Sequence, residues 1–335
     1  MKTQQCLVLV VLFAIGCNNR STPSPGQPAA ADRSSASATQ LTPVRLMLNW
    51  YPEAEHGGYY AAQIQGYFAQ EGLDVTIIPG GPSAPVVQQV ARGEIEFGIT
   101  NADRIIVARA QGANLKALLA PLQNSPRCVL VHEASGITSF DQLENLKLML
   151  RQEHAWAKFL IKRLPLKGVE LVPNSASLAP FLNDKRAAKQ GYVISEPFVA
   201  QRQGTKVRSL LVADLGFNPY TSVLMTSDDL LATNRALANK MIEAARRGWQ
   251  HYLDSPEATN QRIHELNPEM EMDVLAFGVA AIKKYCVAPD QPASEFGNMT
   301  LQRWTTLVDQ LQDLEMIEPG QVDPASLFVP RTAAP

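Results

Sequence analysis

Residues 41–330 alternate between two hydrophobic rhythms. Short apolar runs predict strands at Val44–Leu48, Asp74–Ile78, Glu96–Ile99 and Leu115–Leu119. Between them the spacing turns helical. Gly58–Gln70 predicts one helix with Tyr60, Ile64, Tyr67 and Phe68 on a single face. Ser83 is placed to cap a second helix that has Pro85 in its first turn and stops at Gly93, and a third runs to Gly112. This strand–helix alternation implies a parallel sheet with helices on both faces. Ligands of such sheets sit beyond the carboxyl ends of the strands, here Asn49-Trp50, Gly80-Gly81 and Thr100-Asn101.

A second series starts at Cys128–Val131 and continues with strands at Lys147–Leu150, Val169–Val172, Tyr192–Ile194 and Val207–Val212. Ser222–Met225 reads as a return strand. Helical periods follow at 228–233, 235–253, 257–266, 271–286 and 300–315, so the tail is expected to pack back on the first unit. The expected organisation is two α/β lobes: residues 43–127 with 226–330, and residues 128–225.

The amino terminus has a different pattern. Lys2 precedes an apolar run, Cys6–Ile15, that is about half the roughly 20 residues a spanning helix needs. It reads as a secretory leader over residues 1–16. The run ends in Ala14-Ile15-Gly16-Cys17, which resembles the lipobox of bacterial lipoproteins, with Ala14 where Leu is commonest. Cleavage before Cys17 and acylation of that thiol would anchor the protein to a membrane, facing the periplasm. An ordinary leader is the alternative. Residues 17–42, rich in Ser, Pro and Ala, lack any apolar period and read as a flexible tether.

Composition narrows the function classes. Thirty basic and 32 acidic residues leave a net charge of −2, without the basic excess of a nucleic-acid binder. Only Cys128 and Cys286 fall in the globular part, and they read as two free buried thiols. The five histidines, at 56, 132, 154, 251 and 264, make no short metal spacing, and there is no Gly-rich phosphate loop or Gly-x-Ser-x-Gly elbow. No metal or cofactor is expected, and the protein is expected to be a monomer.

Several blocks then point to a family. Leu48–Pro52, His56, Gly66-Tyr67-Phe68, Glu71–Val75, Gly80-Gly81, Val90–Gly93 and Phe97-Gly98-Ile99 resemble the solute-binding proteins of ABC importers. The likeness is to the thiamine-pyrimidine branch, related to the sulfonate and nitrate binders. It implies a periplasmic-binding-protein type II fold, with two α/β lobes, a hinge and the ligand between them. It also implies a permease and an ATPase as partners, and a small heteroaromatic ligand. Riboflavin-like or sulfonate-type ligands stay open, as does a sensing role in place of transport.

The site expectations join both lines. Trp50 follows the first strand and suits stacking on a flat ring. The resemblance puts Asn49 beside it as a ligand contact, and His56 and Tyr60 join the candidates with Gly80, Gly81, Thr100 and Asn101. From the second lobe come Tyr192 and Glu196, which in the family stack on the pyrimidine and accept from its exocyclic amine. An ionised carboxylate accepts only, which suits an aminopyrimidine and not a sulfonate. Helix capping is the alternative role for Glu196. Trp156, near His154, and Tyr220 complete the candidates. Eukaryotic relatives synthesise the pyrimidine from a pyridoxal-bearing lysine and a histidine. Those positions align with Thr100 and Arg104, and their cysteine-rich run aligns with Phe217–Thr221. Without the lysine there is no Schiff base, so binding is expected and not catalysis.

Overall fold

The computed structural model describes residues 40–286 and 295–330. The leader, Cys17 and nearly all of the tether lie outside the described residues. The strands are β1 (Thr42–Met47), β2 (Leu73–Ile78), β3 (Phe97–Thr100), β4 (Leu115–Leu119), β5 (Arg127–His132), β6 (Lys147–Leu150), β7 (Glu170–Pro173), β8 (Ala187–Tyr192), β9 (Val207–Leu211) and β10 (Val223–Ser227). They form two five-stranded sheets, ordered β2-β1-β3-β10-β4 and β7-β6-β8-β5-β9. The central strands are apolar on both faces, as covered sheets require; Phe97–Thr100 is buried throughout.

Both sheets are mixed, which corrects the expectation of parallel ones. In the first, β10 runs antiparallel to β3 and β4; in the second, β5 runs antiparallel to β8 and β9. The reason is topological. Each is the strand with which the chain enters a sheet from the other lobe. The chain crosses between lobes at residues 120–126 and returns at 212–222. The expected boundary at 225/226 therefore falls too late, since Val223 already pairs with Thr100 of the first sheet.

Helices cover the sheets: α1 (Gly57–Ile64), α2 (Tyr67–Gln70), α3 (Val86–Ala91), α4 (Ala102–Ala110), α5 (Ala155–Arg163), α6 (Ala179–Asn183), α7 (Glu196–Arg202), α8 (Asp228–Thr233), α9 (Arg235–Asp254), α10 (Glu257–Leu266), α11 (Met272–Cys286) and α12 (Leu301–Asp313). The single helix expected over 58–70 is two, because Gly66 adopts a left-handed φ of 71° between α1 and α2. Ser83 caps nothing; α3 starts after Pro85 without a side-chain cap. The strand expected at Tyr192–Ile194 lies earlier, at β8. There Gln190 and the buried Lys189 interrupt the apolar pattern, and the chain after Tyr192 turns into α7.

The tail does pack on the first lobe. Trp249 and Tyr252 of α9 lie over Gly58 and Gly57 of α1, where a Cβ would meet their rings at 2.1 and 2.0 Å. Helix α12 also reaches the second lobe, where Lys162 Nζ of α5 donates to Asp313 Oδ1 at 2.8 Å. Cys128 and Cys286 are buried, free and in separate apolar clusters.

Candidate functional site

The carboxyl ends of the parallel strands open into a cleft of about 540 Å³ between the lobes. This lies within the roughly 300–1,000 Å³ of small-molecule sites. From the first lobe it is lined by Asn49, Trp50, Glu53, Glu55, Gly81, Thr100, Asn101 and Arg104. The second lobe supplies Arg127, Arg151, His154, Trp156, Lys189, Tyr192 and Glu196. Eight of the sequence candidates thus meet in one place: Asn49, Trp50, Gly81, Thr100, Asn101, Trp156, Tyr192 and Glu196.

Four others do not reach the wall. Gly80 sits behind it, where a Cβ would come within 2.1 Å of Leu48 O; a side chain there would separate the two strand ends. Tyr60 points from α1 into the core and is 1% exposed, with no hydrogen-bond partner for its hydroxyl among the described residues. Tyr220 belongs to the return crossing, under the Arg303 guanidinium at 3.9 Å, and its Oη accepts from the Thr300 N–H. His56 is fully buried behind Asn49. Burial lowers its pKa to about 3, so the ring is neutral. Its Nε2 is 3.0 Å from Asn49 Oδ1 and 3.3 Å from Glu55 Oε1; with the proton on that nitrogen, His56 holds the Asn49 carboxamide oxygen.

The aromatic part of the wall is built around Arg127. Its guanidinium lies 5.0 Å from the Trp156 ring centre and 4.8 Å from that of Tyr192, and Nη2 donates to Tyr192 Oη at 2.9 Å. Burial raises the Tyr192 phenol to about 12 against the pull of Arg127, so it stays protonated. Trp50 stands across the cleft, edge-on to Tyr51 at 5.4 Å. The lobes touch through Asn101 Nδ2, which is 3.5 Å from Tyr192 Oη, and through Arg151 Nη1, which donates to Pro82 O at 3.3 Å.

Glu196 opens α7 and turns back on its own strand. One oxygen, Oε2, accepts from Tyr192 N–H at 3.0 Å and from the Ser195 hydroxyl at 2.7 Å. The other makes no hydrogen bond among the described residues. Neither donor is a first-turn amide of α7, so Glu196 is tied to the end of β8 and to Ser195 and does not cap the helix.

Two further carboxylates escaped the sequence reading. Glu53 and Glu55 come from the loop after Trp50, and Glu55 is 2% exposed with Oε2 lacking a hydrogen bond among the described residues. Burial, and then the nearby Glu196, raise Glu55 to about 7, while Arg127 opposes the shift. Burial raises Glu53 as well, followed by Glu55 and Glu196. The signal was there to read: two acids two residues apart, in the loop six and eight residues past the end of β1. Arg127, Arg151 and Lys189 were missed too, although Arg151 immediately follows a strand.

Residues 53–259 match the NMT1/THI5-like family. The chain belongs to that family. Among its relatives, the riboflavin-binding protein RibY of Chloroflexus aurantiacus is 25% identical over 282 residues, covering 80% of this chain and 79% of that one. A formylaminopyrimidine-binding protein of Halalkalibacterium halodurans is 24% identical and covers 93% of both chains. The 4-amino-5-hydroxymethyl-2-methylpyrimidine phosphate synthase THI13 of Saccharomyces cerevisiae is 28% identical, over 69% of this chain and 73% of that one. The fold is that of the periplasmic aliphatic sulphonate binding protein SsuA of Escherichia coli (TM-score 0.65, 15% identity, 88% of this chain and 94% of that one). The architecture is thus that of a periplasmic solute-binding protein.

Proposed function

We propose that the protein captures a small, flat, N–H-bearing heteroaromatic solute of the aminopyrimidine class and delivers it to an ABC permease and its ATPase. The observation that carries this reading is the placement of Glu196. Its carboxylate lines the cleft together with Tyr192 and Trp50, and Oε1 makes no hydrogen bond among the described residues. Aromatic faces hold a planar ring, and an acceptor-only group at the ring's edge selects an amine. A simple sulfonate or nitrate would leave Glu53, Glu55 and Glu196 without donors.

The volume of the cleft, larger than one six-membered ring needs, favours a flavin-type ring as the second reading. A synthase role is not supported, because Thr100 offers no amine for a Schiff base. Export and lipid anchoring at Cys17 are part of the proposal and rest on the amino-terminal sequence. With Cys17→Ala the mature protein moves to the soluble fraction; retention in the membrane would end that part.

The main test is a thermal-shift and calorimetric screen of 4-amino-5-hydroxymethyl-2-methylpyrimidine, riboflavin, taurine and nitrate. The aminopyrimidine raises the melting temperature most. Glu196→Gln weakens its binding roughly tenfold to hundredfold, the worth of a hydrogen bond to a charged group. Undiminished affinity in that variant, or a response to taurine alone, refutes the reading.

A further inference from the structure

We infer that the ligand of this cleft also carries an oxyanion, a phosphate monoester fitting best, held at a pole made by Arg104, Arg127, Arg151 and Lys189. All four line the cleft. Among the described residues none of them lies within 4.0 Å of a carboxylate. Asp103 and Glu153 also line it, without pairing with any of the four.

Lys189 is the most telling of these groups. It is 2% exposed, in the middle of β8. Its ammonium donates to Asn174 Oδ1 and Ser175 O, both uncharged, which leaves a third N–H. Burial lowers its pKa to about 8, with Glu196 the nearby charge that opposes the shift, and a buried cation hydrogen-bonded only to neutral acceptors gains from a counter-ion.

The arginines converge on the same corner. His154 is held well below its ordinary pKa by burial, then by Arg104, Arg127 and Arg151. It is therefore neutral, and it takes a hydrogen bond from Arg104 Nη2 at 2.7 Å. Helix α5 begins at Ala155 directly after it, with no side-chain cap; the Ala157 and Lys158 N–H groups bond His154 O, which leaves those of Ala155 and Trp156 at this pole among the described residues. Guanidinium forks and a free helix N-terminus match a tetrahedral oxyanion. Glu55 and Glu196 line the same cleft within electrostatic reach of Arg127 and Lys189, so the cleft suits a molecule that carries N–H donors as well as the oxyanion.

The inference rests on the preceding section for the ring and adds the charge. Its test is calorimetry at low and moderate salt with matched pairs: 4-amino-5-hydroxymethyl-2-methylpyrimidine and its phosphate, riboflavin and flavin mononucleotide, and inorganic phosphate alone. In a pair that binds, the phosphorylated member binds about tenfold tighter or better, and salt narrows the gap. Arg151→Gln and Lys189→Met each bring the ratio towards one. Arg151 is half-buried, which makes its variant the safer one for folding. A ratio of one or below, or a ratio that survives both substitutions, overturns the anion pole and leaves the ring assignment standing. Binding of inorganic phosphate with no ring bound does the reverse. If none of the five ligands binds, both fall.

Discussion

Glu55 shows how a single side chain can tie ligand capture to pH. It faces Glu53 and Glu196, the Arg127 guanidinium, the neutral His56 and the Ser222 hydroxyl. Its folded pKa of about 7 stands above the ordinary 4.5. In the ligand-free protein its contribution to stability is therefore complete below about 4.5 and is lost as pH rises through about 7. A ligand that donates N–H groups reverses the preference, because it stabilises the ionised form. Binding then releases a proton, and affinity for the aminopyrimidine climbs from pH 6 to pH 8 by at most about tenfold per unit for the one proton. His56 and His154, held near 3, do not titrate in that range. Glu55→Gln flattens the slope in calorimetry at the two pH values. An equal slope in wild type and variant would assign it to the ligand, to Glu53 or to Lys189, which burial lowers to about 8.

The contact between α1 and α9 tests the packing that carries the loop from Trp50 to His56. Gly248 of α9 rests against Gly58 O, and a Cβ there would come within 2.2 Å of that carbonyl and 2.6 Å of Ala62 Cβ. Backbone cannot step aside cheaply, so Gly248→Ala costs about 1–3 kcal/mol by overpacking. It lowers the melting temperature by several degrees in a circular-dichroism melt; an unchanged melt would show that the helices separate freely. The helical period of α1 and α9 was readable in the sequence, and so was the placing of Asn49, Trp50, Thr100 and Asn101 at strand ends that open on a cleft. What could not be read was which face of an element looks into the cleft. Tyr60 keeps the same 3.6 period whether it meets core or ligand, and the packing of α9 and α10 on α1 decides it for the core. The cations were hidden for a related reason. A lone Lys189 in a strand reads as a break in the apolar pattern until β5 and β6 are paired beside it.

The two crossings between the lobes are joined to each other by one side chain from the tail. Arg303 of α12 donates through Nη2 to Gln123 O at 2.5 Å on the first crossing and to Asn218 O at 2.9 Å on the second. Tyr220 lies beneath it, and Asn218 Oδ1 accepts from Ser125 N–H at 2.8 Å, so the crossings also meet directly. Lobe closure requires both segments to bend together, and the Arg303 fork makes them a single hinge. Arg303→Lys keeps the charge but presents a single ammonium in place of the planar fork, and the carbonyl it leaves is buried and unpaired. The loss is roughly 1.5–3 kcal/mol, a few degrees in melting temperature for a chain of this size. A merely structural role would end there. A hinge role adds two effects: a larger radius of gyration in the ligand-free variant by small-angle scattering, and a weaker apparent affinity in proportion to the closed fraction lost. The radius then returns to the wild-type value at saturating ligand, because the ligand supplies the contacts that close the lobes. A variant that melts early but keeps its radius and affinity would show that α12 braces the crossings without governing their motion.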